Sequence, residues 1–167
     1  LNAYNTQDTD ATLFNSHASD SSTLWTLGSN TSINETGQSS VAYLWCDVPG
    51  LQKFGTFEGN TNADGPYVKL GFRPAIVLLK CVDNQANWML YDNKRGKYNP
   101  NNFVLGPNNG DGGNTYDGYS SAYPIDFVSD GFKVRTNVTN SNTNTMIYMA
   151  WAEAPSIDLF GGVSNAT

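Results

Sequence analysis

The sequence predicts an all-β fold, an antiparallel β-sandwich of jelly-roll or lectin-like type, and three observations predict it. Apolar and aromatic residues come in short runs broken by Gly, Asn, Asp and Pro, which is the punctuation of strands and turns. No stretch of ordinary helix length keeps the helical period. Ring side chains are plentiful, with 4 Trp, 8 Phe and 9 Tyr, and these suit a pleated, half-buried surface.

The strongest single element is Ala75-Ile76-Val77-Leu78-Leu79, the most apolar run in the chain, bounded by Pro74 and by the polar Asp83-Asn84-Gln85. It reads as a buried central strand. Trp88-Met89-Leu90-Tyr91 follows closely enough to return antiparallel to it. Before this hairpin, residues 1–22 are polar, with Leu13-Phe14 as their apolar pair. Leu24–Leu27 and Ser40–Trp45 then read as strands around an Asn30–Gly37 turn region, stopped by Asp47 and Pro49-Gly50. Phe54–Phe57 alternates as a strand, Glu58–Gly65 is a turn, and Tyr67–Leu70 is a further short strand. Asn93–Asn102 is a polar loop containing Pro100, and Gly106–Ser121 is a long loop rich in Gly, Asn and Tyr. Ile125–Val128 resumes the alternation before an Asp130-Gly131 tight turn.

A strand-loop-strand unit occurs twice. Phe132-Lys133-Val134 matches Trp25-Thr26-Leu27, and Ile147–Trp151 matches Val41–Trp45. The stops also agree, Asp47-Val48-Pro49 with Glu153-Ala154-Pro155. So long a period means an internal duplication rather than a solenoid. The expected organisation is residues 1–50 as the rear half of a preceding repeat, packed with the rest, 51–155 as a complete repeat, and 156–167 as a tail whose Ile157–Phe160 cluster suits a subunit contact. A chain that opens on Leu1 reads as a fragment of something longer.

Composition narrows the function. Charged residues make up only 14% and the net charge is −6, so no surface suits phosphate tracking; Lys94, Arg95 and Lys97 form a cluster too small to displace counterions from nucleic acid. No apolar segment approaches the roughly 20 residues of a spanning helix, so membrane insertion is not expected. Cys46 and Cys81 lie in apolar runs and read as small buried hydrophobes, without metal-binding spacing.

Catalytic groups are hard to find. His17 sits in a Ser/Asn/Asp-rich stretch and reads as a solvated loop residue. Asp64, Asp92, Asp111, Asp117 and Asp126 could in principle supply a glycosidase pair, yet they read as turn formers. Asn109–Asn114 has the glycines of a calcium loop but lacks its second acid and terminal Glu. No metal, cofactor or catalytic residue is expected. The rings of Trp88, Tyr91, Tyr98, Tyr116, Tyr119 and Tyr123 could stack on sugar faces, and the loop tyrosines Tyr98, Tyr116, Tyr119 and Tyr123 are the candidate ligand-binding residues.

Gly55-Thr56-Phe57-Glu58-Gly59-Asn60, Asp64-Gly65-Pro66, Leu70-Gly71-Phe72-Arg73-Pro74-Ala75, Asn87-Trp88 and Tyr91-Asp92 together resemble a repeated β-rich domain of uncharacterised function from structural proteins of tailed, especially marine, bacteriophages. Ser129–Arg135 and Ile147–Pro155 are similar to the end of that domain, and Val41–Trp45 to the end of a preceding copy. The resemblance implies a non-enzymatic tail-fibre or appendage module at the virion surface, outside the cell, working in assembly and host contact. It implies partners in other copies of itself and neighbouring virion proteins, with host-surface glycan as a further partner. Capsid decoration and carbohydrate binding are the alternatives. Cys46, Cys81 and the Gly106–Ser121 loop depart from the family pattern.

Overall fold

A computed structural model describes residues 26–31, 35–37, 39, 43–108, 121–137 and 144–153, and the backbone of 118–119. The chain divides into two compact units, Gln7–Trp45, and Leu1–Thr6 with Cys46–Thr167. In the larger unit the strands are β1 Gln52–Glu58, β2 Tyr67–Lys69, β3 Pro74–Cys81, β4 Met89–Asp92, β5 Phe103–Val104, β6 Gly118–Tyr119, β7 Ile125–Val128, β8 Gly131–Val134 and β9 Thr145–Ala152. All pairings are antiparallel, and no helix occurs among the described residues.

One sheet has the order β1-β9-β3-β4, a second β2-β8-β7, and a two-stranded ribbon β5-β6 completes the set. β9 is the key to the first sheet. It joins β1 to β3 along its whole length, opposing Met149 to both Phe54 and Leu78. The ladder is therefore closed by the last strand in sequence, and β1 and β3 touch only through it. The predicted hairpin of Ala75–Leu79 with Trp88–Tyr91 is present as β3 and β4, with Val77 opposite Tyr91.

Side chains obey the strand period of two. Val77, Leu79, Cys81, Met146, Tyr148 and Ala150 from the first sheet meet Val68, Ile125, Phe127, Phe132 and Val134 from the second in one buried cluster. Phe132 lies at its centre, with the rings of Phe57 and Tyr148 edge-on at centroid distances of 5.9 and 5.8 Å. Tyr148 crosses β1 at Gly55, where a Cβ would stand 2.8 Å from the tyrosine hydroxyl. Glycine at 55 is what lets a large ring fit there. The alternate residues of the same strands, Phe54, Leu78, Met149 and Trp151 among them, give the first sheet an apolar second face; Phe54 and Trp151 meet edge-on at 5.8 Å. This explains why β3 reads as a continuous apolar run rather than an alternating one.

Two sequence expectations are corrected. Thr26 and Leu27, and Tyr43, Leu44 and Trp45, lie outside any strand, although Leu24–Leu27 and Ser40–Trp45 carry strand patterns. A strand is stable only with a neighbouring ladder for its backbone groups, and side-chain alternation does not supply one. The second correction concerns the thiols. Cys81 is buried in the core as expected, but Cys46 is exposed, and both are free. In the native chain a thiol reagent is expected to label Cys46 at once and Cys81 only upon unfolding, because reaction needs access as well as thiolate; two rapidly reacting thiols would contradict the burial of β3.

Candidate functional site

The surface feature best defined by its own bonding is the Asn93–Asn102 loop after β4. Its start is fixed by Asp92, whose Oδ1 accepts from the backbone N–H of Lys94 at 2.9 Å and of Arg95 at 2.8 Å, while Oδ2 accepts from Arg95 Nε. An acidic side chain that binds its own backbone two and three residues on is a standard turn former. Burial raises the Asp92 pKa, but the backbone and side-chain hydrogen bonds from Arg95 and the backbone bond from Lys94 outweigh it, leaving the carboxyl below its ordinary value.

The sign of the pH effect follows. A carboxyl with a lower pKa in the folded state contributes stability above its unfolded value, and this is lost as pH falls through the folded value. The unfolding midpoint is expected to decline below about pH 4, the range in which an unfolded Asp protonates. Asp92→Asn should flatten part of that decline in thermal melts recorded down the acid range. An identical acid profile for the variant would remove Asp92 from this role.

The loop then passes over Asn101. At Gly96 a Cβ would fall 1.9 Å from Asn101 Oδ1, so the two residues are mutually dependent. Asn101 is fully buried. Its backbone exchanges hydrogen bonds with Ile125, at 2.7 and 3.1 Å, its Nδ2 donates to Asp92 O at 2.9 Å and its Oδ1 accepts from Phe103 N at 3.0 Å. Asn99, which precedes Pro100 through a cis peptide bond, uses its side chain in the same way. Oδ1 accepts from Phe127 N at 2.9 Å and Nδ2 donates to Phe127 O at 2.8 Å. Asn99 and Asn101 thus cover the outer edge of β7, which would otherwise present open backbone groups.

Between these anchors Tyr98 stands out at 84% exposure, beside the exposed Lys94, Lys97 and Pro100. Phe103, also exposed, continues the surface in β5. Chemically this is a ring with ammonium groups beside it on a backbone braced by the Asn99 and Asn101 amides. It can make stacking and hydrogen-bond contacts of modest strength.

The four predicted tyrosines fare differently. Tyr98 is displayed as described. Tyr119 lies in β6, its backbone paired with Phe103, and Tyr116 lies outside the described residues. Tyr123 is half-buried against the core and its carbonyl accepts from Tyr91 Oη at 2.8 Å. The wider ring platform is corrected too. Tyr91 is buried because β4 directs it inward with Met89, and Trp88, just before that strand, is half-buried with its indole nitrogen enclosed.

Asn99, Asn101 and Phe103 were not singled out from sequence. An Asn-Pro-Asn triplet in a polar loop signals a turn, but nothing in it indicates which backbone the amides will reach.

Of the acids weighed as a glycosidase pair, the described Asp64, Asp92 and Asp126 are each engaged with a cation. Asp64 contacts Lys133 at 3.0 Å and Arg135 at 3.1 Å, and the hydrogen bond from Lys133 leads the effects that lower its pKa. Asp126 meets Arg135 at 3.3 Å. His17, Asp111, Asp117 and the Asn109–Asn114 stretch lie outside the described residues. Among the described residues no group of three or more His, Cys, Asp and Glu could hold a metal ion, and no helix is long and apolar enough to cross a membrane. A separate cavity of about 200 Å³ is lined by Asp47, Pro49, Gln52, Lys53, Leu70 and Phe72.

No curated protein and no solved structure matches the chain. A family model described as a domain of unknown function, DUF7483, matches residues 1–155 and so takes in both compact units. The chain belongs to that DUF7483 family.

Proposed function

We propose that this chain is a non-enzymatic structural module of a tailed-bacteriophage virion, from a tail fibre or similar appendage, that assembles with copies of itself and contacts the host surface. The observation that carries the reading is Tyr98, an exposed ring on a loop braced by buried Asn101 and by the Asn99 side chain. A displayed ring on a rigid backbone loses little entropy on contact, and many copies turn weak contacts into firm attachment. The same reading takes the two sheets as the faces of a sandwich and residues 1–50 as the rear half of a preceding repeat. On the second face of the β1-β9-β3-β4 sheet, exposed Ile76 and its half-exposed partner Trp151 supply a surface for assembly.

The exposed Tyr98 ring beside Lys97 also favours a second reading, a carbohydrate-binding module for host glycans; a capsid decoration protein would use the same sheet face to bridge subunits. Electron cryo-microscopy of particles that contain the chain separates these. Density on appendages with the Asn93–Asn102 loop outward supports the proposal, density between capsid subunits supports decoration, and absence from particles overturns both.

Tyr98→Ala gives a direct test at the residue level. Its unfolding free energy should stay within about 0.5 kcal/mol of the parent, as for an exposed site. Binding of a multivalent display to host cells or to immobilised host glycan should weaken by roughly tenfold, about 1.4 kcal/mol. Unchanged binding would remove Tyr98 from host contact.

A further inference from the structure

We infer that Tyr43–Asp47 is a strand built for another module of this fold, where it takes the central place that β9 takes here, between strands of the β1 and β3 types. The inference rests on the duplication reading but not on the virion placement.

Three observations lead to it. Tyr43-Leu44-Trp45-Cys46-Asp47 aligns without a gap on Met149-Ala150-Trp151-Ala152-Glu153, and Pro follows two residues later in both. The second of these segments is the strand that holds its sheet together, opposing Trp151 to both Gln52 and Ile76 and Met149 to both Phe54 and Leu78. The first has the same pattern but lies in no strand, and it leaves Tyr43, Leu44 and Trp45 exposed at 75, 67 and 54%. Tyr43 and Trp45 stack with centroids 6.1 Å apart, on one side as alternate residues of a strand would be. Large apolar groups so displayed mark an interaction surface, and their register states which surface.

In that register Trp45 and Tyr43 would lie on the sheet's outer face, as Trp151 and Met149 do, and Leu44 would point into the core where Ala150 points here. β9 directs Tyr148 and then Ala150 inward, large before small, with Gly55 making room for the ring. The earlier segment has Ala42 and then Leu44, small before large. The bulk moves one inward step along the strand, a change of shape that a core of similar volume accommodates by repacking, and within the chain the place between β1 and β3 is already held by β9. The turn from Val48 to Gln52, closed by Val48 N to Gln52 O and Gln52 N to Val48 O, both 3.0 Å, leads straight into β1.

The test places a second copy of residues 50–107 ahead of Leu1 of the full chain, restoring by the duplication reading the front of the preceding module. Amide hydrogen exchange is followed in the chain and in this fusion. The amides of 43–47 are expected to exchange rapidly in the chain and to become as protected in the fusion as those of 147–151. Leu44→Asp should leave the unfolding midpoint of the chain unchanged, yet abolish protection of the added residues in the fusion.

Added residues that are protected together with residues 26–31, while 43–47 stay unprotected, would keep the duplication and overturn the strand assignment. Added residues without protection overturn both. Protection of the added residues that survives Leu44→Asp also overturns the strand assignment.

Discussion

Phe132→Ala is expected to lower the unfolding free energy by about 3–5 kcal/mol, the cost of truncating a buried aromatic in a core that cannot collapse around the gap. Phe132 has no exposed surface and contacts rings on two strands of the opposite sheet, Phe57 of β1 and Tyr148 of β9. Neither neighbour is free to fill the space. Tyr148 is held across Gly55, and Phe57 is fixed by the β1–β9 register, opposite Met146. Losing the ring therefore removes both edge-to-face contacts and opens a void between the sheets. Denaturant unfolding with a constant slope gives the measurement. A loss below about 1 kcal/mol would show that the β2-β8-β7 sheet does not rest on the first one through this residue.

The second large effect is expected at Asn101. Alanine there removes the amide bonds to Asp92 O and Phe103 N, both part-buried, and leaves Asp92 O with the longer bond from Gly96 N at 3.4 Å. Each unsatisfied buried group costs about 1–3 kcal/mol. The expected loss is about 1–3 kcal/mol, since two hydrogen bonds are lost in one step at groups that are only part-buried and Asp92 O keeps a donor.

Asn101→Ala also tests the site. The backbone bridge to Ile125 remains available in the variant, so the core should keep its near-ultraviolet signal while the 93–102 loop loses hydrogen-exchange protection. Attachment through Tyr98 should weaken with it, since the ring would no longer be held in place. A variant as stable as the parent, with the loop still protected, would contradict the buried geometry. Asn101→Asp should cost at least as much as alanine. It keeps the acceptor for Phe103 N but loses the donor to Asp92 O and buries a charge.

Much of the fold was legible because its signals are local. A strand with an apolar run on both faces, like Pro74–Cys81, announces itself by composition. The tight turn read at Asp130-Gly131 joins its strands within a few residues, and β7 and β8 pair from Val128–Gly131 outward, with Ser129 and Asp130 between them and Gly131 already in β8. The thin signals were those of long-range pairing. Nothing in Ile147–Trp151 says that it will separate β1 from β3. Nothing in Ser40–Trp45, with the same pattern, says that Tyr43–Trp45 will lie outside a ladder. Alternation fixes which side chains share a face, whereas a ladder needs a partner whose position depends on the whole chain.

The site divides along the same line. Sequence determined the all-β antiparallel class, the positions of β1–β4 and β7–β9 but not of β5 and β6, the latter inside the stretch read as the Gly106–Ser121 loop, and the polar, aromatic character of the loops, since these follow from periodicity, turn chemistry and composition. Which tyrosine is displayed was decided by tertiary structure alone. Tyr123 and Tyr98 both stand in polar surroundings of the sequence, yet one is drawn onto the core while the other projects. The difference lies in the amides of Asn99 and Asn101, which bind the open edge of β7 and the end of β4 and so hold the loop tip away from the core. Their partners, Phe127 and Asp92, are 28 and 9 residues away, and hydrogen bonds of that reach exist only once the strands have found their places.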